Sequence, residues 1–135
     1  MRQSLEHQRL KAAYDLVCAI TEKKTEYKAA AEAAPMVLRQ LSLGPGLATL
    51  YIEDKQNAEL ADAVSNWLLL NCPWKSKWRG DKNLPQDIFE WIKQADRFAY
   101  RAAHLEAMAY LLAIKRFASA MFDEALKSEA QNAAA

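Results

Sequence analysis

The C-terminal part of the chain contains no residue that would interrupt a helix. From Asp96 to the last residue there is neither glycine nor proline, and aspartate commonly caps a helix N-terminus. Apolar residues recur here at spacings of three or four, the period of one helix face. The members of this stripe are Ala107, Leu111, Ile114, Ala118, Met121 and Ala125. The pattern predicts one long helix of about 30 residues, whose apolar stripe must be covered by other helices.

The N-terminal half predicts two further helices and a short third one. The first should extend from about Ser4 to Lys28. Its apolar face consists of Leu10, Ala13 or Tyr14, Val17 and Ile20. The next segment, Ala29 to Leu43, contains Pro35, which fits best in the first turn of a new helix. The Gly44-Pro45-Gly46 sequence should end that segment in a tight turn that lets two helices pack closely, and the stretch LATLYI from Leu47 predicts a short buried helix.

The middle of the chain predicts two helices joined by a loop. Asn57 is a suitable cap for a helix that continues through Leu70, and Asn83 for a short helix that begins at Leu84. The segment NCPWKSKWRGDKN between them lacks periodicity, so we expect a loop there. The inward faces of the two helices should be Leu60, Val64, Trp67 and Leu68 in the first, and Ile88, Trp91 and Ile92 in the second.

Together these segments predict an all-α protein. No strand signal is strong enough to build a sheet, so we expect a single-domain bundle of five or six helices with a long C-terminal helix. The chain has 135 residues, 52% of them hydrophobic, which is enough to form one core. The helical domain should cover residues 1–128, and the Ala-rich tail at 129–135 should be flexible.

Charge, cysteines and hydropathy restrict the classes of function. A formal net charge of +1 argues against coating nucleic acid or membrane by bulk charge, so anion binding would need local clusters. Cys18 and Cys72 lack metal-ligand spacing and fit buried thiols in a reducing cytoplasm. No uncharged run reaches the roughly 18 residues of a membrane span. The start of the chain lacks the apolar centre of a signal peptide. We therefore expect a soluble, cytoplasmic protein with no membrane partner.

Two adjacent cations, Lys115 and Arg116, interrupt the apolar run YLLAIKRFASAMF. At about 100° per residue, Lys115 lies about 40° from Leu111 around the predicted long helix, and Arg116 about 140° from it. Lys115 should therefore lie at the margin of the apolar stripe and Arg116 well outside it. Both cations should flank the core.

Other cations form three further groups. If the long helix extends backward, Lys93, Arg97 and Arg101 form a like-charged series that costs a few tenths of a kcal/mol per pair. Either an anionic ligand or the acids of other helices would offset that cost. The Trp74–Lys82 loop alternates tryptophans with cations, as single-stranded nucleic acid binding requires, although such tryptophans more often belong to a core. The last group lies where the first helix should end, a position where cations suit the helix dipole. Its members are Lys23, Lys24 and Lys28.

Motifs for catalysis are almost absent. The sequence has no Glu-x-x-His pair, glycine-rich phosphate loop, zinc-protease motif or nucleophile elbow, so we expect no cofactor, no metal and no catalytic residue. One alternative is open. Arg97 precedes His104 with six residues between, and Arg2 precedes His7 with four. This spacing resembles the motif of the all-α ribonuclease family called HEPN, which implies RNA cleavage without metal.

Three ordered stretches have a more specific resemblance. The first is KTEYK at 24–28 followed by APMVL at 34–38, and the second is LGPGLATL at 43–50. The third extends from Tyr100 through EAM at 106–108 to AIKRFA at 113–118. In this order and spacing they resemble the Cmr-type small subunit of type III-B CRISPR effector complexes. The resemblance covers roughly Leu10 to Phe122.

This resemblance implies a non-catalytic helical subunit of an antiviral complex. Several copies would stack along the effector filament beside the backbone subunits that hold the guide RNA, and would line the channel where target RNA pairs with the guide. RNA cleavage would belong to other subunits. The cations in the matching stretches are Lys24, Lys28, Lys115 and Arg116, to which helix geometry adds Lys93, Arg97 and Arg101. We expect these residues to contact RNA phosphates or the acids of a neighbouring subunit, while a helical adaptor with protein partners alone stays open.

Overall fold

The computed structural model describes the backbone of residues 4–71 and 84–134, and the side chains of residues 4–70 and 84–122. The helices are α1 (Leu5–Cys18), α2 (Lys24–Leu41), α3 (Leu43–Ile52), α4 (Lys55–Asn71), α5 (Leu84–Gln94) and α6 (Arg97–Ala134). The described ranges contain no strand, and none of their helices has the length and apolarity needed to cross a membrane. The predicted all-α bundle with a long C-terminal helix is confirmed. The division at residue 128 stays a prediction.

Helix α6 packs between α1 and α2. Arg9 meets Glu106 and Tyr14 meets Phe117, so α1 runs parallel to α6. Helix α2 runs antiparallel to α6, because Tyr27 packs against Phe122 and Ser42 lies next to Tyr100. The predicted stripe on α6 is buried at Ala107, Leu111, Ile114 and Ala118, whereas Met121 is 37% exposed. The period of the stripe therefore placed most of the stripe's described members in the core, while Ala125 lies outside the described side chains. Covering the stripe requires helices on both sides.

The predicted first helix, from Ser4 to Lys28, is wrong. Helix α1 ends at Cys18, and Lys23 adopts a left-handed conformation with φ 54° and ψ 43°. A right-handed helix does not continue through such a residue. The break reverses the chain direction, and this reversal brings Tyr27 on α2 back against α6.

Pro35 does not begin a helix, as the sequence suggested, but lies inside α2. A proline there removes a backbone hydrogen bond and costs about 3 kcal/mol. The buried face of α2 continues on both sides of it, with Ala31, Ala34 and Leu38 almost fully buried. Burial of this continuous face offsets the cost, so packing holds the helix through the proline.

The Gly44-Pro45-Gly46 sequence is not the turn that was predicted but the first turn of α3. The turn is at Ser42, which has φ 70° and ψ 177°. Pro45 is tolerated because the N–H groups of a first turn have no partner within their own helix. Close packing does occur at Gly46, where an added Cβ would lie 3.0 Å from Leu38 Cδ1 and 3.1 Å from Leu38 Cα. Glycine therefore lets α3 approach α2.

The N-terminal cap of α6 is the predicted residue, whereas the N-terminal cap of α4 is not. Asp96 caps α6, since its Oδ1 accepts a hydrogen bond from Ala99 N at 2.8 Å. Helix α4 is capped by Asp54 and not by Asn57, whose own N–H donates to Asp54 Oδ1 at 2.9 Å. Asn57 is buried within the first turn instead. The predicted cap Asn83 lies outside the described residues.

Two predictions of burial on α1 are wrong. Leu10 is 43% exposed, and Cys18 is an exposed free thiol. Ala13 and Val17 are the fully buried residues of this helix. Because Cys18 follows Val17 by about 100° around the helix, it points away from the buried face. Cys72 lies outside the described residues.

Candidate nucleic-acid interface

The chain breaks between two cations that were expected to share a helix. Lys93 lies in the last turn of α5, Arg97 begins α6, and Ala95 and Asp96 separate the helices. The continuous series from Lys93 to Arg101 is therefore wrong, because Asp96 starts a new helix by capping it. Arg97 and Arg101 do lie one turn apart on α6, and all three cations are exposed.

Lys115 and Arg116 lie where their helix angles predicted. Lys115 is half-buried at the edge of the packed face, and Arg116 is exposed. Their neighbour Ile114 is fully buried. Both cations therefore flank the core and have their charges available at the surface.

Lys24 and Lys28 begin α2 instead of ending the first helix. Helix α2 starts at Lys24, so both residues lie near the positive end of its dipole, and the predicted dipole benefit is reversed. Lys28 Nζ pairs with Glu32 Oε1 at 3.3 Å, and Lys24 Nζ lies 5.7 Å from the centre of the Phe122 ring. The contact with the ring and the ion pair each offset part of the unfavourable dipole interaction.

The antiparallel packing of α2 on α6 separates the candidate cations into two groups. The rings of Tyr27 and Phe122 meet at 6.4 Å at one end, and Ser42 Oγ lies 2.7 Å from the Tyr100 hydroxyl at the other. We call the first the Phe122 end and the second the Tyr100 end. The Phe122 end has Lys24, Lys28, Lys115 and Arg116, and the Tyr100 end has Lys93, Arg97 and Arg101. Arg101 and Lys115 are separated by about 21 Å along α6.

The exposed charged residues of α6 between residues 97 and 122 are all basic, namely Arg97, Arg101 and Arg116, with Lys115 half-buried. Within residues 97–122 the single acidic residue is Glu106, which is buried. Within the described part of the chain, Arg97, Arg101, Lys115 and Arg116 form no ion pair. Like charges without acidic neighbours disfavour one another and favour an anionic partner such as a phosphate or a carboxylate. The arrangement is suited to binding anions.

Arg97 and His104, the candidate ribonuclease pair, differ in their exposure. Arg97 and His104 lie about 10.5 Å apart along the axis of α6. Arg97 is exposed, whereas His104 is half-buried, and its Nδ1 is buried without a hydrogen-bond partner among the described residues. Desolvation lowers the pKa of His104. His7 is exposed at the start of α1, and Arg2 lies outside the described residues.

Two features of the molecule were missed by reasoning from the sequence. Glu106, in the matched stretch EAM, is a buried carboxylate that accepts hydrogen bonds from α1 and α4. Phe98 is 85% exposed at the Tyr100 end. Its position gave a signal, since it lies about 140° from Leu111 around the helix. The Trp74–Lys82 loop, with its alternating tryptophans and cations, lies outside the described residues.

Fold and surface together define a class: a small all-helical protein with a basic outer flank on its longest helix. Comparison with protein families identifies the group within that class. The model of the family described as CRISPR-associated protein (Cas_Cmr5) matches residues 5–121. The chain therefore belongs to the Cas_Cmr5 family, the Cmr-type small subunits of type III-B CRISPR complexes, and the resemblance found in the sequence is confirmed. No curated protein matches the chain. Membership implies association with other CRISPR effector subunits.

Proposed function

We propose that this protein is a non-catalytic small subunit of a type III-B CRISPR effector complex in the cytoplasm. Several copies stack along the filament beside the backbone subunits, and their basic surfaces contact the guide and target RNA in antiviral defence. The contact residues are Lys24, Lys28, Lys93, Arg97, Arg101, Lys115 and Arg116. The observation that carries the proposal is the cationic flank of α6, which forms no ion pair within the described residues, in a chain of this family.

The distribution of charge supports contact with RNA through clusters. The net charge is only +1, so the free protein has little general attraction for nucleic acid. The cations of α6 nevertheless have no exposed acid beside them within residues 97–122. A few phosphate contacts give modest, salt-sensitive affinity. Such a surface suits a subunit that contacts RNA already held by the guide-binding subunits.

Charge reversal at the Phe122 end tests the RNA contact. The double variant Lys115→Glu, Arg116→Glu is assembled with the other effector subunits, and target RNA binding is measured over a range of salt concentrations. Losing about two phosphate contacts should reduce the slope of log affinity against log salt by roughly 1.4 to 1.8. Urea unfolding of the isolated variant checks the fold, because Lys115 is half-buried.

The matched control reverses two exposed lysines elsewhere. Lys11 lies on α1 and Lys55 begins α4, and both are exposed. The variant Lys11→Glu, Lys55→Glu makes the same change in net charge and should leave the salt slope unchanged. Equal losses in both variants would mean that only net charge matters. Normal RNA binding by a folded Lys115→Glu, Arg116→Glu complex would favour a protein-only adaptor and reject the RNA role of these residues.

A further inference from the structure

Phe98 has the most exposed large apolar side chain among the described residues. It is 85% exposed, in the first turn of α6. It is absent from the core and from the half-buried residues that pack against the core. Full exposure of an aromatic ring forgoes roughly 1.5 to 3 kcal/mol of burial energy. Packing among the residues that the structure describes therefore does not explain the ring.

Two arginines lie on one side of this ring around the helix, about 100° and 60° from it. Arg97 precedes Phe98 and Arg101 follows it by three residues, so Arg101 lies about 60° from Phe98 around the helix. The adjacent acid, Asp96, uses Oδ1 to cap Ala99 N at 2.8 Å. Neither arginine has an ion-pair partner within the described ranges. The result, within the described residues, is an exposed flat ring with two guanidinium groups on one side of it.

We propose that Phe98 stacks on an unpaired RNA base while Arg97 and Arg101 bind phosphates beside it. This inference rests on the proposed function and specifies its substrate at the Tyr100 end: a single-stranded or unpaired nucleotide, not a continuous duplex. A ring that stacks on bases and cations that bind phosphates are the two components of single-strand recognition. A paired base inside a helix has no free face for the ring.

A second exposed apolar residue allows the alternative, a protein partner on this surface, to be tested. Leu105 is 59% exposed and lies about 20° from Phe98 around α6, two turns away. A protein partner would use both side chains, because burial of apolar area does not distinguish leucine from phenylalanine. RNA is the better partner for Phe98, because the two adjacent guanidinium groups match phosphates and the Phe98 ring can stack on a base. Leu105 has no ring for stacking.

The experiment uses the assembled effector complex and target RNAs that contain 2-aminopurine at successive positions. Phe98→Leu removes the ring and keeps apolar bulk, whereas Phe98→Trp keeps a ring. We expect Phe98→Leu to weaken RNA binding by about 5- to 100-fold and to change the fluorescence of 2-aminopurine at one position. Phe98→Trp should retain both properties. Leu105→Ala is the matched control and should bind RNA normally.

The outcomes distinguish this inference from the proposed function. The double variant Arg97→Glu, Arg101→Glu is measured alongside. If it loses RNA binding while Phe98→Leu retains it, stacking is rejected and the phosphate contacts stand. If neither variant changes RNA binding, the RNA role of this end is rejected together with stacking. If Leu105→Ala loses as much RNA binding as Phe98→Leu, the surface is an apolar protein contact and the inference is overturned. The same holds if Phe98→Trp does not retain RNA binding.

Discussion

Arg9 holds the carboxylate of Glu106 with two parallel hydrogen bonds across 97 positions of the chain. Its Nε lies 2.8 Å from Oε1 and its Nη2 lies 2.7 Å from Oε2. Trp67 Nε1 donates to the same Oε1 at 3.2 Å, and the Trp67 ring stacks on Tyr110. One carboxylate of α6 thereby fixes the position of both α1 and α4. Its hydrogen bonds also raise the pKa of Arg9.

Removing this carboxylate should strongly destabilise the fold. Glu106→Ala removes the carboxylate that accepts hydrogen bonds from Arg9, whose side chain is only 18% exposed, and from the Trp67 indole N–H. Breaking a buried pair from one side costs about 3 kcal/mol. Glu106→Gln keeps an acceptor and should cost less. Urea unfolding measures both, and the prediction is wrong if Glu106→Ala is no less stable than Glu106→Gln.

The two glycines of the first turn of α3 should differ in how much their replacement by alanine destabilises the fold. At Gly46 the new Cβ would lie 3.1 Å from the Leu38 backbone, so Gly46→Ala must move α3 away from α2 at a cost of about 1 to 3 kcal/mol. At Gly44 the nearest atoms are Tyr100 Oη at 3.6 Å and Ile92 Cγ2 at 3.7 Å, an ordinary contact. Gly44→Ala gains helix propensity but places a Cβ before Pro45, which disfavours the helical conformation, so it should cost less than Gly46→Ala. Thermal unfolding compares the two variants, and equal destabilisation would contradict the difference in packing.

Two tyrosines should differ when their hydroxyl groups are removed. The Tyr27 hydroxyl is buried without a hydrogen-bond partner in the described part of the structure. Tyr27→Phe should therefore leave the free energy of unfolding unchanged or raise it by about 1 kcal/mol. The Tyr51 hydroxyl bonds to Asp62 Oδ1 at 2.9 Å and lies 3.0 Å from Ser65 Oγ. Tyr51→Phe should cost about 1 kcal/mol, and chemical denaturation that ranks the variants in reverse would reject this account.

His104 should make the fold sensitive to mild acid. Desolvation lowers its pKa in the folded state, so below the ordinary value of about 6.5 the unfolded chain binds a proton that the folded chain does not. The contribution of His104 to the free energy of unfolding is complete above about pH 6.5. It is lost as the pH falls towards the pKa that His104 has in the folded state. Unfolding between pH 7 and 5.5 should show a smaller loss of stability in His104→Gln. His7→Gln, altered on the exposed surface of α1, should keep the original slope, and identical profiles for all three proteins would refute the role of His104.

Periodicity in the sequence determined the architecture of α6 and the sides on which its cations lie. A stripe repeating every three or four residues has one low-energy arrangement, with Leu111 and Ile114 inside and Arg116 outside. Local rules were sufficient at Asp96, because a cap involves only its own helix. These features depend on neighbours along the chain, so the amino-acid order alone specifies them.

The break at Lys23, the helix through Pro35, and the position of Glu106 depended on tertiary structure. Local preferences favour a longer first helix and a start at Pro35, but packing of both α1 and α2 on α6 stabilises a reversal between them and a continuous buried face. The same reversal places Lys24 at the Phe122 end of α6 and leaves Arg97 at the Tyr100 end, which no spacing in the sequence revealed. Contacts such as that between Arg9 and Glu106 join residues far apart in the chain, and only the folded arrangement brings them together.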